Sequence, residues 1–188
     1  MAVTYPNATK VARMNAVVTQ IGASGKIKFL TAADALLVSF TLAATAGTVG
    51  GAGVLTFSDN NAAAAGILNA NAGAGGRLAK ATVETSADVP VITGLTVGLT
   101  STAAPAWVGS TVYTAGQFRT NGANQYRCTV GGTSASSGGP TGTGASIADG
   151  TVTWEYVAVA NADFQIDNID VTNGQAVIVN SATITHAA

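Results

Sequence analysis

The sequence predicts a mainly β protein: a β-sandwich-like base with one N-terminal helix and a small inserted all-β module. Polar and apolar residues alternate along much of the chain, as they do in half-buried strands. Apolar residues recur at helical spacing mainly near the N-terminus. Both tryptophans, three of the four tyrosines and the only cysteine lie in residues 105–160. We therefore predict a base made of residues 1–103 and 161–188, interrupted by a module at residues 104–160.

The N-terminal segment is the one substantial helix that we predict. Its apolar residues form a narrow stripe, as expected for a helix that lies against one sheet or one neighbouring subunit: Val11, Met14, Val18 and Ile21. Asn7 or Thr9 is the expected cap at its start, and Gly22 and Gly25 are expected to end it.

Alternating polar and apolar residues predict the strands of the base. These strands are expected at residues 26–30, 37–42, 54–58, 77–85 and 89–97. Glycine and alanine dominate residues 46–53, which predicts a flexible loop. Residues 62–68 are assigned to a short helix.

The C-terminal part of the base contains the strongest local hairpin signal in the chain. Asn173-Gly174 separates two alternating runs, residues 164–171 and 175–185. Asn-Gly between such runs favours a tight turn that joins two paired strands. We therefore predict a C-terminal hairpin within residues 161–188.

The aromatic-rich module has turns and short strands of its own. Turns are predicted at Ala115-Gly116, Asn121-Gly122 and Asp149-Gly150. The strands that these turns connect are expected at residues 110–113, 117–119, 125–130 and 151–157. Residues 131–144 form a loop of Ser, Thr, Gly and Pro with almost no apolar side chain.

The aromatic side chains of the module have two interpretations. As a binding surface for a glycan or another partner, they would offer flat faces to sugar rings: Trp107, Tyr113, Tyr126, Trp154 and Tyr156. As a core, they would fill the interior of a small domain. Strand alternation places Trp154 and Tyr156 on one face, and Tyr126 and Cys128 on one face of another strand. Such shared faces favour the core, with Cys128 as a small buried hydrophobe.

The chain is unusually poor in charge, with 9% charged residues and a formal net charge of −1. A surface with so few charges favours association and fits a subunit of a large assembly better than a freely diffusing enzyme. Most cations precede residue 81, which predicts a docking face for an acidic partner: Lys10, Arg13, Lys26 and Lys28. The alternative is an accident of small counts. Scattered cations without interleaved aromatic residues do not predict nucleic-acid binding.

The residues that carry catalytic and metal chemistry do not form a recognisable site, and we expect no enzyme activity and no cofactor. One cysteine allows neither an internal disulfide nor a cysteine-based zinc site. The only histidine, His186, lies near the C-terminus and is expected to be solvated. Asp163, Asp167 and Asp170 lack the spacing of a calcium-binding loop.

The sequence also bears on the compartment. The first 20 residues lack the pattern of a signal peptide, and no apolar run approaches the roughly 20 residues that span a bilayer. We expect synthesis in a cytoplasm and no contact with a membrane.

The module resembles a small module of tailed-phage virion proteins. The residues that carry this resemblance are Trp107-x5-Tyr113-x2-Gly116, Asn124-x-Tyr126-x-Cys128, Gly132-Thr133-Ser134, Gly139-Pro140-Thr141-Gly142 and Asp149-Gly150-Thr151-x2-Trp154-x-Tyr156. The opening Trp, Tyr and Gly also loosely resemble short chitin-binding modules of the carbohydrate-binding class.

The flanking segments resemble short structural proteins of phage virions. The matching segments are the N-terminal helix with Gly25-Lys26-Ile27-Lys28, Ser86-Ala87-Asp88-Val89, Gly94-Leu95-Thr96-Val97-Gly98, Asn173-Gly174-Gln175-Ala176-Val177 and Asn180-Ser181-Ala182-Thr183-Ile184-Thr185. In shorter members of this group, the Val-Gly segment runs almost directly into the equivalent of residues 163–168. The module is therefore interpreted as an insertion.

These resemblances imply a structural subunit of a tailed-phage virion, made in the cytoplasm of a bacterial host. The first expectation is a capsid decoration or cement protein that contacts the major capsid protein or other virion subunits. A homo-oligomer is expected, and a trimer would fit the resemblance. The alternative is a tail, collar or fibre component whose module binds host glycans. A secreted carbohydrate-binding module unrelated to phage is a third, less favoured interpretation.

Overall fold

The computed structural model describes residues 5–61 and 67–185, and this part of the chain is mainly β with one helix, as predicted. The chain divides into two compact units. We call residues 1–95 and 170–188 the base unit, and residues 96–169 the insert unit. The insert unit contains all of the predicted module and extends beyond both of its ends.

The secondary structure elements follow one another as one helix and a series of mostly short strands. The first group is α1 (Asn7–Ile21), β1 (Lys26–Leu30), β2 (Leu36–Val49), β3 (Val54–Asp59), β4 (Leu68–Asn71), β5 (Gly76–Arg77), β6 (Lys80–Glu84) and β7 (Pro90–Leu99). The second is β8 (Val112–Tyr113), β9 (Phe118–Asn121), β10 (Asn124–Val130), β11 (Gly132–Thr133), β12 (Ile147–Asp149), β13 (Val152–Val159) and β14 (Phe164–Ile166). The last is β15 (Asp170–Val171), β16 (Ala176–Val179) and β17 (Thr183–Thr185).

Helix α1 has the predicted extent, but it begins differently. Pro6 occupies the N-cap position without a side-chain hydrogen bond, so the prediction that Asn7 or Thr9 caps the helix is wrong. A proline is tolerated at this end because its missing N–H has no partner within the helix. Gly22 ends the helix as predicted, with φ +70°, and its N–H donates to the Val18 carbonyl.

The base unit is built around a large sheet in which strands follow the order β7, β6, β1, β2, β3 and β17. Strand β1 lies between β2 and β6 and pairs with both in antiparallel fashion. Ile27 faces Phe40 on one side and Val83 on the other, and all three are buried. The ring of Phe29 meets that of Phe40 edge to face at 5.0 Å. Alternation in β1 therefore predicted the core correctly.

The predicted flexible loop at residues 46–53 is wrong for its first half. Strand β2 continues to Val49, and Gly47 lies opposite Phe57 of β3. A Cβ on Gly47 would collide with the Thr56 carbonyl oxygen, so the glycine is needed for close approach of two strands. Five residues of the predicted helix at 62–68, residues 62–66, lie outside the described residues, and Leu68 begins β4.

The predicted C-terminal hairpin is also wrong, although its turn exists. Gln175 donates its N–H to the Thr172 carbonyl around Asn173-Gly174. The flanking strands pair elsewhere: β15 with β5 and β16 with β4. The turn signal is local, whereas the choice of partner strand is decided by burial against distant parts of the base.

Candidate functional site

The insert unit is organised around a four-stranded antiparallel sheet of order β12, β13, β10 and β9. Two of its strand pairs, β9 with β10 and β12 with β13, are joined by tight turns at the predicted positions. Asn121 faces Asn124 across the turn at Gly122, and Asp149 faces Val152 across the turn at Gly150. Strand β14 pairs in parallel with the last residues of β7, which brings the end of the insert unit beside its beginning.

The aromatic residues of the insert form its core. Tyr113, Tyr126 and Trp154 are at most 2% exposed, and Trp107 and Tyr156 are partly buried against the same cluster. The rings of Tyr113 and Trp154 meet edge to face at 5.0 Å. The interpretation as a core is thus confirmed for the three buried side chains, which have no face left for a sugar ring.

Cys128 belongs to this core, as predicted. It is 1% exposed, and burial raises the pKa of its thiol, with a smaller opposing effect of Arg119. A thiol in this setting is a poor nucleophile, because the reactive form is the thiolate.

A buried carboxylate binds both tryptophans, although sequence analysis placed this residue only in a turn. Asp149 is 4% exposed. Its Oδ2 accepts hydrogen bonds from Trp107 Nε1 at 2.8 Å and from Trp154 Nε1 at 3.0 Å. Its Oδ1 accepts from the backbone N–H of Ala135 at 2.9 Å. The three donors compensate a carboxylate that has lost its water.

Two glycines allow the backbone to pack closely beside Asp149 and Trp107. Gly150, with φ +64°, follows Asp149, and a Cβ there would lie 2.7 Å from the Ala135 nitrogen. Gly139, with φ +66°, packs against Trp107, and a Cβ there would lie 2.9 Å from its indole ring. A larger residue at either position would displace the loop from the tryptophan core.

The predicted loop at residues 131–144 contains the short strand β11, which pairs with β8, and the loop that follows β11 is held mainly through its backbone carbonyl groups. Asn121 donates from Nδ2 to the carbonyls of Gly138 and Pro140, each at 2.9 Å. The Tyr126 hydroxyl donates to the Gly142 carbonyl at 3.0 Å. Asn124 donates to the same oxygen at 3.3 Å. The loop therefore has a defined course although it contributes little to the apolar core.

Gln125 is a second buried polar residue that sequence reasoning missed. It is 1% exposed, and its amide binds both backbone groups of Leu99. The Leu99 N–H donates to Gln125 Oε1 at 2.8 Å, and Gln125 Nε2 donates to the Leu99 carbonyl at 2.7 Å. The side chain thus takes the place of a neighbouring strand and ties β10 to the end of β7.

One pocket of about 310 Å³ opens in the insert unit. Small and neutral polar residues line it: Ser101, Ala104, Ala106, Thr120, Gly122, Gln125, Ala160, Asn161 and Gln165. None of the five aromatic candidates is among them. Gln125 is engaged with Leu99, and the Thr120 hydroxyl donates to the Ala104 carbonyl. None of the residues that line the pocket is ionisable, so its hydroxyl groups have no general base beside them.

The cations of the predicted docking face fall into two groups. Lys26 and Lys28 lie on β1 and are paired with acidic residues of the base: Lys26 with Asp88 at 2.7 Å, and Lys28 with Glu84 at 2.6 Å and Asp88 at 2.8 Å. These two lysines therefore contribute no net positive charge to the surface.

The other two members of the predicted docking face lie on α1. The Arg13 guanidinium stands 4.2 Å from the centre of the Tyr5 ring, in a cation–π contact. Lys10 lies against Gly53, where an added Cβ would come within 2.6 Å of the lysine Cβ. The sequence alone grouped these cations by position in the chain, and the structure shows a compensated pair on β1 and two helix residues with separate contacts.

The lysine cluster shifts the ionisation of Asp88. Hydrogen bonds from Lys26 and then Lys28 lower the pKa of Asp88 from 3.8 to about 2. The same contacts, with Asp88 first and Glu84 second, raise the pKa of Lys28.

The acidic residues considered for calcium have other partners. Asp163 accepts from the N–H and hydroxyl of Thr96, and Asp167 accepts from the Thr100 hydroxyl. Asp170 pairs with Arg77 at 2.7 Å. Within residues 5–61 and 67–185, no group of three His, Cys, Asp or Glu residues is placed to hold a metal ion. His186 lies outside the described residues.

In the same part of the chain, no helix is both long and apolar enough to cross a membrane. No family model, curated protein or solved structure matches the chain.

Replacement of Asp149 by Asn tests the role of the buried carboxylate. An amide nitrogen cannot accept a hydrogen bond, so at least one of the three donors loses its partner, and we expect the free energy of unfolding to fall by about 2–4 kcal/mol. Urea titration followed by tryptophan fluorescence reports on the insert unit, because both tryptophans lie there.

The matched control for this experiment is Asp167→Asn. Asp167 is exposed and accepts one hydroxyl hydrogen bond, which an amide oxygen can still accept. We expect a change within about 0.5 kcal/mol. Equal losses in the two variants would show that Asp149 does not hold the tryptophans in the way described.

The cluster around Asp88 predicts an acid-dependent stability of the base unit. Unfolded Asp88 has the ordinary pKa of 3.8 and folded Asp88 a pKa of about 2. Its contribution is therefore complete above pH 3.8 and is lost as the pH falls through 2. Asp88→Asn should remove this part of the acid dependence in urea titrations between pH 2 and pH 6, followed by far-UV circular dichroism.

Asp34→Asn is the control for this second prediction. Asp34 also has a positive φ, +65° against +62° for Asp88, and it pairs with Lys80 alone. Asn tolerates such a backbone conformation. The acid dependence should survive in Asp34→Asn, and its survival in Asp88→Asn would contradict the assignment.

Proposed function

We propose that the chain is a non-enzymatic structural subunit of a tailed-phage virion, and specifically a capsid decoration or cement protein. The observation that supports the proposal most is the charge compensation within the base unit. Lys26 and Lys28 pair with Asp88 and Glu84, and two further pairs are Arg77 with Asp170 and Lys80 with Asp34. A charge-poor surface on which most cations are compensated favours broad contacts between subunits.

The proposed task is to clamp neighbouring copies of the major capsid protein. A protein that binds only the assembled shell stabilises that shell by mass action, by about 2.7 kcal/mol per site when its free concentration is 100 times the dissociation constant. This role requires a rigid body with an extended polar surface and no chemistry. The base unit, with its continuous sheet, suits the contact with the shell.

The state of the aromatic residues supports decoration over adhesion. Tyr113, Tyr126 and Trp154 are buried in the core of the insert unit. Trp107 is half-buried, and its indole N–H donates a hydrogen bond to Asp149. In the competing function, a tail, collar or fibre component would bind host glycans through the faces that Trp107 and Tyr156 leave exposed.

Co-sedimentation with parts of the virion tests the proposal. The full chain is mixed with expanded capsids that lack it, and separately with tails, both purified from the phage that carries its gene. We expect saturable binding to capsids, none to tails, and a higher temperature of capsid disruption. Binding to tails alone, or to neither particle, would refute the decoration role.

A glycan array separates the competing function from the proposed one. Binding of wild-type protein that disappears in Trp107→Ala, with circular dichroism unchanged, would favour adhesion. Phe118→Ala, a change at a partly buried aromatic residue of the same unit, serves as the control. The decoration role predicts that wild type and both variants leave the array unbound.

A further inference from the structure

Strand β16 forms an open edge in the base unit. It pairs on one side with β4, with Ala176 opposite Asn71 and Val179 opposite Leu68. Within the described residues, the β4–β16 sheet has two strands, so the second side of β16 carries no neighbouring strand. Open edges present unpaired backbone groups that can bind another strand.

The ladder identifies the backbone groups that point outward. Ala72 donates its N–H to the Gln175 carbonyl, which places Gln175 among the residues bonded to the β4 side. Bonded and non-bonded positions alternate along an antiparallel pair. The N–H and carbonyl groups of Val177 therefore point to β4, and those of Ala176 and Ile178 point to the open side. Both residues are exposed, Ile178 at 48%.

Two other open sides of strands in the chain are protected. Beside β9, Thr120 exchanges backbone hydrogen bonds with Pro105 and Trp107 at 2.9 and 2.8 Å. Beside the end of β7, the Gln125 side chain occupies the backbone groups of Leu99. Strand β16, with the sequence Ala-Val-Ile-Val, has no strand of residues 5–61 or 67–185 on its second side and lacks the charged residue or proline that usually protects an edge.

We propose that the open edge of β16 binds β16 of a second copy of this chain in an antiparallel pair. In a two-fold arrangement, the residue on the axis meets its own counterpart and the residues beside it meet each other, so a charged residue there would oppose pairing. Residues 175–180 carry no charge. Ala176 of one copy faces Ile178 of the other, so that the outward backbone groups bond, and Val177 faces its own counterpart on the buried side.

The contact is short, and this sets the expected affinity. A four-residue edge buries much less than the roughly 1,200 Å² of a stable interface. The dissociation constant of the dimer is therefore expected to be about 10 µM to 1 mM. The pairing becomes substantial where an assembly raises the local concentration of the chain. The inference stands on the geometry of the base unit and does not rest on the virion assignment.

Sedimentation equilibrium of the full chain tests the pairing. We expect wild-type protein to move from monomer to dimer over about 10 µM to 1 mM. Ile178→Pro removes an outward N–H without removing a bond to β4, and Ile178→Lys places a charge at the edge. Both variants should remain monomeric with unchanged circular dichroism, whereas Ile178→Val keeps the N–H and should dimerise like wild type.

Three results would overturn the pairing. These are a wild-type protein that stays monomeric at about 1 mM, a trimer as the associated species, and association that survives in both Ile178→Pro and Ile178→Lys. A wild-type protein that stays monomeric is also the result expected if the edge of β16 binds a strand of a different protein. Since this experiment uses the free protein, its failure is distinct from a failure to bind capsids.

Discussion

The insert unit depends on one carboxylate that has been moved out of water. Asp149 is nearly inaccessible, and its oxygens hold two indole N–H groups and one backbone N–H. Burial of a carboxylate is costly unless its hydrogen bonds are replaced. Here the replacement fixes where Trp107 and Trp154 lie, and with them the sheet and the adjoining loop. Polar geometry, and not aromatic burial alone, specifies the arrangement of this small unit.

Charges are also compensated within the base unit. Lys26 and Lys28 are balanced by Asp88 and Glu84, so that these two lysines leave little net field at the surface around β1. In the proposed role, contacts of this unit with other subunits would rely on shape, on backbone groups and on neutral side chains. These are the means by which extended interfaces between subunits are formed, and they link the proposed assembly role with the open edge of β16.

Features that depend on neighbouring residues were predictable, and those that depend on distant residues were not. Alternation identified β1, and the turns at Asn121-Gly122 and Asp149-Gly150 were correct because turn chemistry is local. Asn173-Gly174 also forms its turn, yet its flanking strands pair with β4 and β5. The aromatic core was predictable from the shared strand faces. The role of Asp149 was not, because Trp107 lies 42 residues away in the sequence.

The loop that follows β11, up to residue 144, is held largely through its backbone carbonyl oxygens, which every residue type carries. Asn121, Asn124 and Tyr126 bind its carbonyl oxygens, and several of its side chains are exposed to solvent: Ser136, Ser137, Thr141 and Thr143. The path of the loop therefore depends little on the identity of these exposed side chains. Substitution of these exposed serines and threonines would therefore change the surface chemistry of the insert unit while the path of the loop persists.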